Sequence, residues 1–240
     1  MILDLFENLS PDILLFVIYA VGFALLSSFF HYRNLLKKQA DDFRAFIRYF
    51  FYFFVLFFAT PVLFILLFFT EPLETLKILG LQPGDSGLGI LIVSIGTPVM
   101  VAASFISAKN PAIRKQYPFS KKACENPEKF ILFEISYLLF YYVAWEFTFR
   151  GVLLFGLIRW QGKETTGIAI AILLQAIVAT VFHMGHPSME IFGALLGSIV
   201  FGLIAYATQS ILYTIYLHAL IGISNDILIY LRYHKNKQWV

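Results

Sequence analysis

Glu146 and Arg150 stand four residues apart in an apolar run, a spacing that places two side chains on one face of a helix. A guanidinium there can hold the carboxylate ionised and aimed, as a general base acting on water requires. The same pair can equally be a buried ion pair that only fixes packing. His183, His186 and Glu190 follow in a short polar stretch. Imidazoles can hold a water, and with a carboxylate they offer nitrogen and oxygen ligands for zinc, which commonly takes three protein ligands plus water. H-E-x-x-H is absent, however, and Pro187 breaks the helix between His186 and Glu190. His218 lies inside another apolar run. Asn225, seven residues on, returns to nearly the same helix face, while Asp226 is turned away by about 80°. Glu134 is a further carboxyl within an apolar run. Ionisable groups deep in a membrane span cost about 2.5–3.5 kcal/mol each on insertion scales, so all of these are functional candidates.

The scaffold that must position them is legible in composition. Of 240 residues, 59% are hydrophobic and 14% charged, against about 45–50% and 25% in an ordinary soluble domain. The chemistry of such a chain belongs in a bilayer, and the expected fold is an all-α polytopic transmembrane bundle. The uncharged runs are Ile13 to Phe30, Tyr49 to Thr70 with a kink at Pro61, Ser86 to Ala108 and Thr165 to Phe182, and Phe130 to Ile158 is apolar but interrupted by Glu134, Glu146 and Arg150. The run from Ile191 to Leu231 is too long for one span and divides at Ala207-Thr208-Gln209-Ser210. That gives about seven spans, in a range of six to eight. Counted by rise per residue, Glu146, His183 and His218 fall within about 10 Å of one another in depth. Gly193 and Gly197, followed by Gly202, form a small-residue stripe expected to pack closely against a neighbouring helix.

Three connectors, Arg33 to Arg48, Lys109 to Lys129 and the tail from Arg232, hold 14 of the 18 Lys and Arg residues. An even number of spans separates them, so they share one side, and the positive-inside rule makes it cytoplasmic. The N-terminus (Asp4, Glu7, Asp12) is then outside and the C-terminus inside. Its acidic start lacks the basic region of a signal peptide, so the first run is expected to be a retained span. Cys124 is the single cysteine, which excludes an intrachain disulfide and a Cys-rich metal site. The modest charge of +3 gives no reason to expect a nucleic-acid partner. The expected division is 1–128 for N-terminal spans and basic connectors, 129–232 for a core carrying the candidate residues, and 233–240 for a basic tail.

Trp145-Glu146-Phe147-Thr148-Phe149-Arg150-Gly151 resembles the E-E-x-x-x-R-G motif of the CPBP intramembrane proteases, which include the type II CAAX prenyl endopeptidases and the bacterial Abi proteins. Phe182-His183-Met184-Gly185-His186 resembles their F-x-x-x-H motif, which selects His186. A W-E-F-x-F-R-G branch is similar to H-x-x-[KH]-P-x-x-E instead, which selects His183, matches Pro187 and Glu190, and is the preferred alignment. Gly193 to Asn225 resembles the last two helices, which end in H-x-x-x-N or H-x-x-x-D. The resemblance runs from about Glu134 to Asp226 and departs in two places. Trp145 stands where the family has its first Glu, and Gly222 stands four after His218, leaving that role to Asn225 or Asp226. The resemblance implies an intramembrane endopeptidase in a bacterial inner membrane, acting on membrane-associated peptides or proteins. Glu146 would activate water, Arg150 would orient it, His183 would hold the water, and His218 and Asn225 would receive the oxyanion. His186, Glu190 and Asp226 are further candidates. No cofactor is firmly implied, and a divalent metal such as zinc stays open. The alternative is an inactive relative that binds membrane peptides or lipids as a scaffold.

Overall fold

The computed structural model describes residues 10–38, 41–161 and 164–236. Asp4, Glu7, Lys163, Lys237 and the last residues of the expected tail lie outside the described residues.

The helices start where capping chemistry is available. Ser10 accepts from the Ile13 N–H and precedes Pro11 at the head of α1 (Pro11–Ser28). Asp41 caps α2 (Asp42–Phe68), Asp85 caps α3 (Ser86–Ser107) and Asn126 caps α4 (Pro127–Gln161), each accepting a first-turn N–H. Such caps satisfy N–H groups that the helix itself cannot. α5 (Thr165–Val181), α6 (Ser188–Thr208) and α7 (Leu212–Asn236) complete the bundle. Short helices at Tyr32–Lys38, Pro72–Ile78 and Pro111–Gln116 lie in the connectors. No strand occurs among the described residues.

Among the described residues, six helical runs are long and apolar enough to cross a membrane, and α5, with 17 residues, is a shorter seventh. The chain is an all-α integral membrane protein. Its outward face is apolar, with Leu67, Ile90 and Phe192 each more than 60% exposed, a surface that lipid rather than water must cover. α4 is the central element: 56% of its apolar window is buried, against 11% for α3.

Several boundaries differ from the sequence reading for local reasons. α2 starts at Asp42 rather than Tyr49, because Asp41 caps it and Ala45, Phe46, Phe50 and Phe53 already form a buried face there. Pro61 follows a π-helical turn, Val55–Ala59, which gives the ring room where an α-turn would clash. The long last run does divide at Thr208. Gln209 adopts the left-handed conformation (φ 54°), and the turn is locked to the α2–α3 connector by Asp85 N–H to Thr208 O (2.8 Å) and Ile211 N–H to Gly80 O (3.0 Å). Gly84 is required there: its φ is +56°, and a Cβ would collide with Thr208 O.

The small-residue stripe behaves differently from its expectation. Gly202 packs directly on Gln175 and Ile172 of α5. A Cβ at Gly193 or Gly197, however, would meet nothing within 4 Å among the described residues. These two face away from α5, because the buried face of α6 is set by Ser198, Phe201, Gly202 and Ala205.

The three basic connectors meet at one end of the bundle. Asp42 accepts from Ser120 Oγ (3.1 Å) and the Lys121 N–H (3.0 Å), and His234 Nε2 lies 3.0 Å from Cys124 O. At the other end, Arg159 pairs with Asp12 at 3.8 Å and Gln82 donates to Gln209 O.

Candidate active site

α4 carries Glu146 on a short α-helical turn, Val143–Glu146, between two π-helical stretches, Tyr137–Tyr142 and Phe147–Phe155. Widened turns of this kind recur at functional sites because they re-aim side chains within a helix. The Glu146 side chain is fully buried, and Arg150, one turn on, is 1% exposed. Arg150 Nη1 lies 3.2 Å from Glu146 Oε1. Its Nη2 donates to Ser198 Oγ on α6 at 3.2 Å, and the guanidinium lies 5.5 Å from the Phe201 ring centroid.

α7 brings the third member. His218 Nδ1 lies 2.6 Å from Glu146 Oε1. A carboxylate can only accept, so Nδ1 carries the hydrogen, and in the neutral form of the ring Nε2 is an acceptor. Tyr142 meets the imidazole edge-on at 4.9 Å and fixes its plane. The His218 side chain is 21% exposed while Glu146 is 0% exposed, so the imidazole is the accessible end of the pair. Among the described residues no hydrogen bond within range is made to Glu146 Oε2.

His183 follows the C-terminal end of α5. Its Nδ1 donates to Ala179 O at 2.8 Å, which again leaves Nε2 as an acceptor. Burial pushes this imidazole down to about 4, so it is neutral at physiological pH. Trp145 stands between the two histidines, with ring centroids 5.2 Å from His183 and 6.3 Å from His218. The indole is held by Phe53, Tyr141 and Phe149. Where the family motif has a first carboxylate, this chain thus has an aromatic wall.

The remaining candidates lie apart from Glu146. His186 Nδ1 bonds Glu190 Oε1 at 2.7 Å, and the Tyr117 hydroxyl donates to the same oxygen. His183 and His186 are neighbours, with centroids 5.6 Å apart. Asn225, about 10 Å further along α7 than His218, donates to Asp226 Oδ1 at 3.2 Å. Glu146, Arg150 and His218 are therefore bonded together, His183 joins them across Trp145, and the other residues form two separate clusters.

Sequence reasoning missed Ser198, Tyr142 and Tyr117. Tyr142 sits four residues before Glu146, the spacing that could have flagged it. Its hydroxyl fills the space beside Gly222, where a Cβ would collide with it.

Among the described residues, no three His, Cys, Asp or Glu side chains group to hold a metal ion. His186 Nδ1 is bonded to Glu190 and His218 Nδ1 to Glu146.

No curated protein and no solved structure matches the chain. Residues 127–224, which supply Glu146, Arg150, His183, Ser198 and His218, match the Rce1-like family, described as type II CAAX prenyl endopeptidase Rce1-like.

Proposed function

We propose that this chain is an intramembrane endopeptidase that hydrolyses peptide bonds of membrane-associated peptides or proteins, using a water activated through Glu146. The observation that carries the reading is the buried Glu146–His218 contact at 2.6 Å, braced by Arg150. A buried carboxylate bonded to a more exposed imidazole is a proton-accepting device. Water meets His218 Nε2, and the His183 imidazole lines the same site beside Trp145. The water proton passes to the Glu146–His218 pair, and the hydroxide adds to the scissile carbonyl. Glu146 stabilises the positive charge on the ring, and that proton then leaves with the amine product. Arg150 keeps Glu146 ionised in a site with no other cation bonded to it.

The burial of Glu146 and the exposure of His218 favour His218 as the group that touches the water. Glu146 then acts by holding the tautomer and the charge. Trp145 is the observation that favours the second reading, a non-catalytic membrane scaffold, because it removes one carboxylate from the site. Membrane-anchored, leader and bacteriocin-type peptides are the proposed substrates, with prenylated proteins a separate question. The meeting of the three basic connectors supports an N-terminus outside and a cytoplasmic C-terminus, in a bacterial inner membrane.

The test compares wild type, Glu146→Gln and His218→Gln on a membrane-peptide substrate across pH. Both variants are expected to lose at least a hundredfold in rate, within the range that general acid–base groups contribute. Full activity in Glu146→Gln would overturn the mechanism.

A further inference from the structure

Away from Glu146, α4 and α7 meet a second time, under the 117–125 connector. Glu134 of α4 and Asp226 of α7 bring their carboxyls within hydrogen-bond contact. Exposure is 7% for Glu134, 1% for Asp226 and 6% for Asn225. The Asn225 amide is held against the pair by its bond to Asp226 Oδ1, at 3.2 Å. Four oxygens of this cluster receive no hydrogen from an N–H or O–H donor among the described residues: Glu134 Oε1 and Oε2, Asp226 Oδ2 and Asn225 Oδ1. Buried polar atoms are normally satisfied, so four orphan acceptors on three adjoining side chains require an explanation.

We propose that Glu134, Asp226 and Asn225 form a binding site for one hard metal cation, of the calcium or magnesium class, that ties α4 to α7. The donor set is all oxygen, two carboxylates and one amide carbonyl, which is the set such cations prefer. A cation is favoured over a proton shared between the carboxyls by the count of orphan atoms. One proton gives a donor to a single carboxyl–carboxyl contact and leaves Asn225 Oδ1 and a Glu134 oxygen unserved. A cation bound among the three side chains would serve these acceptors together. Lys121, a basic side chain in the connector above, donates to Tyr117 O (2.6 Å) and Arg114 O (3.2 Å), and its charge also acts on Asp226. Occupancy would fix the register between the helices that carry Glu146 and His218, independently of whether the chain hydrolyses peptides.

The full chain, purified in detergent, is stripped with EDTA and moved to choline chloride buffer. Calcium, magnesium and sodium chlorides are then titrated separately against thermal unfolding. Calcium or magnesium is expected to raise Tm saturably, by about 5–10 °C at a hundredfold excess over Kd. The rise is expected to vanish in Glu134→Gln and Asp226→Asn. Manganese spin resonance on the wild type, which needs no variant to fold, should count one bound ion per chain, displaced by calcium or magnesium. The proposal is overturned if no divalent ion raises Tm, if the variants keep the same rise, or if no manganese binds. A response to sodium alone also overturns the divalent assignment, and melting that depends on pH but on no cation would assign the pair a shared proton.

Discussion

Replacing Arg150 by Met tests whether the guanidinium is the counter-charge that lets Glu146 stay ionised. Both side chains are out of solvent, at 1% and 0% exposure, so water cannot substitute for the lost partner. Breaking a buried pair by removing one member costs about 3–5 kcal/mol, chiefly because an uncompensated charge is left behind. For a chain of this size that corresponds to a fall in Tm of about 6–20 °C, at 2–4 °C per kcal/mol. The assay is thermal unfolding in detergent, read by tryptophan fluorescence, since Trp145 adjoins the pair. The sharper arm is the double variant Glu146→Gln with Arg150→Met. It contains no orphan charge, so it should be more stable than Arg150→Met alone, with a coupling of about 2–3 kcal/mol. The reasoning is refuted if Arg150→Met melts within about 1 kcal/mol of wild type, or if the two substitutions simply add.

His183 should make the protein acid-sensitive. Its folded-state value of about 4 lies below the unfolded value of about 6.5, so its contribution is full above pH 6.5 and is lost as pH falls towards 4. At pH 5 the loss reaches up to about 2 kcal/mol relative to pH 8, and His183→Asn should flatten that part of the pH–stability curve. Cys124 should resist alkylation in the folded protein, because burial pushes its thiol up to about 12 and leaves almost no thiolate at pH 8. Intact-mass measurement after maleimide treatment should show labelling only once the chain is unfolded in SDS. Gly222→Ala should displace the Tyr142 ring from His218 and lower both stability and hydrolysis; adding Tyr142→Phe, which removes the colliding hydroxyl, should restore part of the stability.

The bundle was legible because lipid imposes a simple composition rule. Uninterrupted apolar runs located every long helix, and the polar run at Ala207 to Ser210 located the turn between α6 and α7. Boundaries were less legible, since Asp41 and Asn126 extend α2 and α4 into segments whose charges look like loop. Glu146 and Arg150 could be paired from their spacing on one helix. Their meeting with His218, 72 residues later, depends on helix packing that no local pattern encodes. The same limit hid Ser198 and Tyr117, which are ordinary residues in sequence and become site neighbours only through tertiary contact. The Gly193–Gly197 stripe shows the converse: a motif that suggests close packing meets nothing within 4 Å of an added Cβ among the described residues. Asn225 was placed beside His218 by helical phase, yet two turns of axial rise carry it to a different cluster.

The most direct test of the central claim is cleavage itself. Purified wild type and Glu146→Gln, each in lipid and shown to be folded, would be given a mixed library of membrane peptides, and new termini read by mass spectrometry. The account predicts termini that appear with wild type and are absent with Glu146→Gln, which would also define the preferred sequence. Equal cleavage by both proteins would contradict the role of Glu146, and no cleavage by either would favour the scaffold reading built around Trp145.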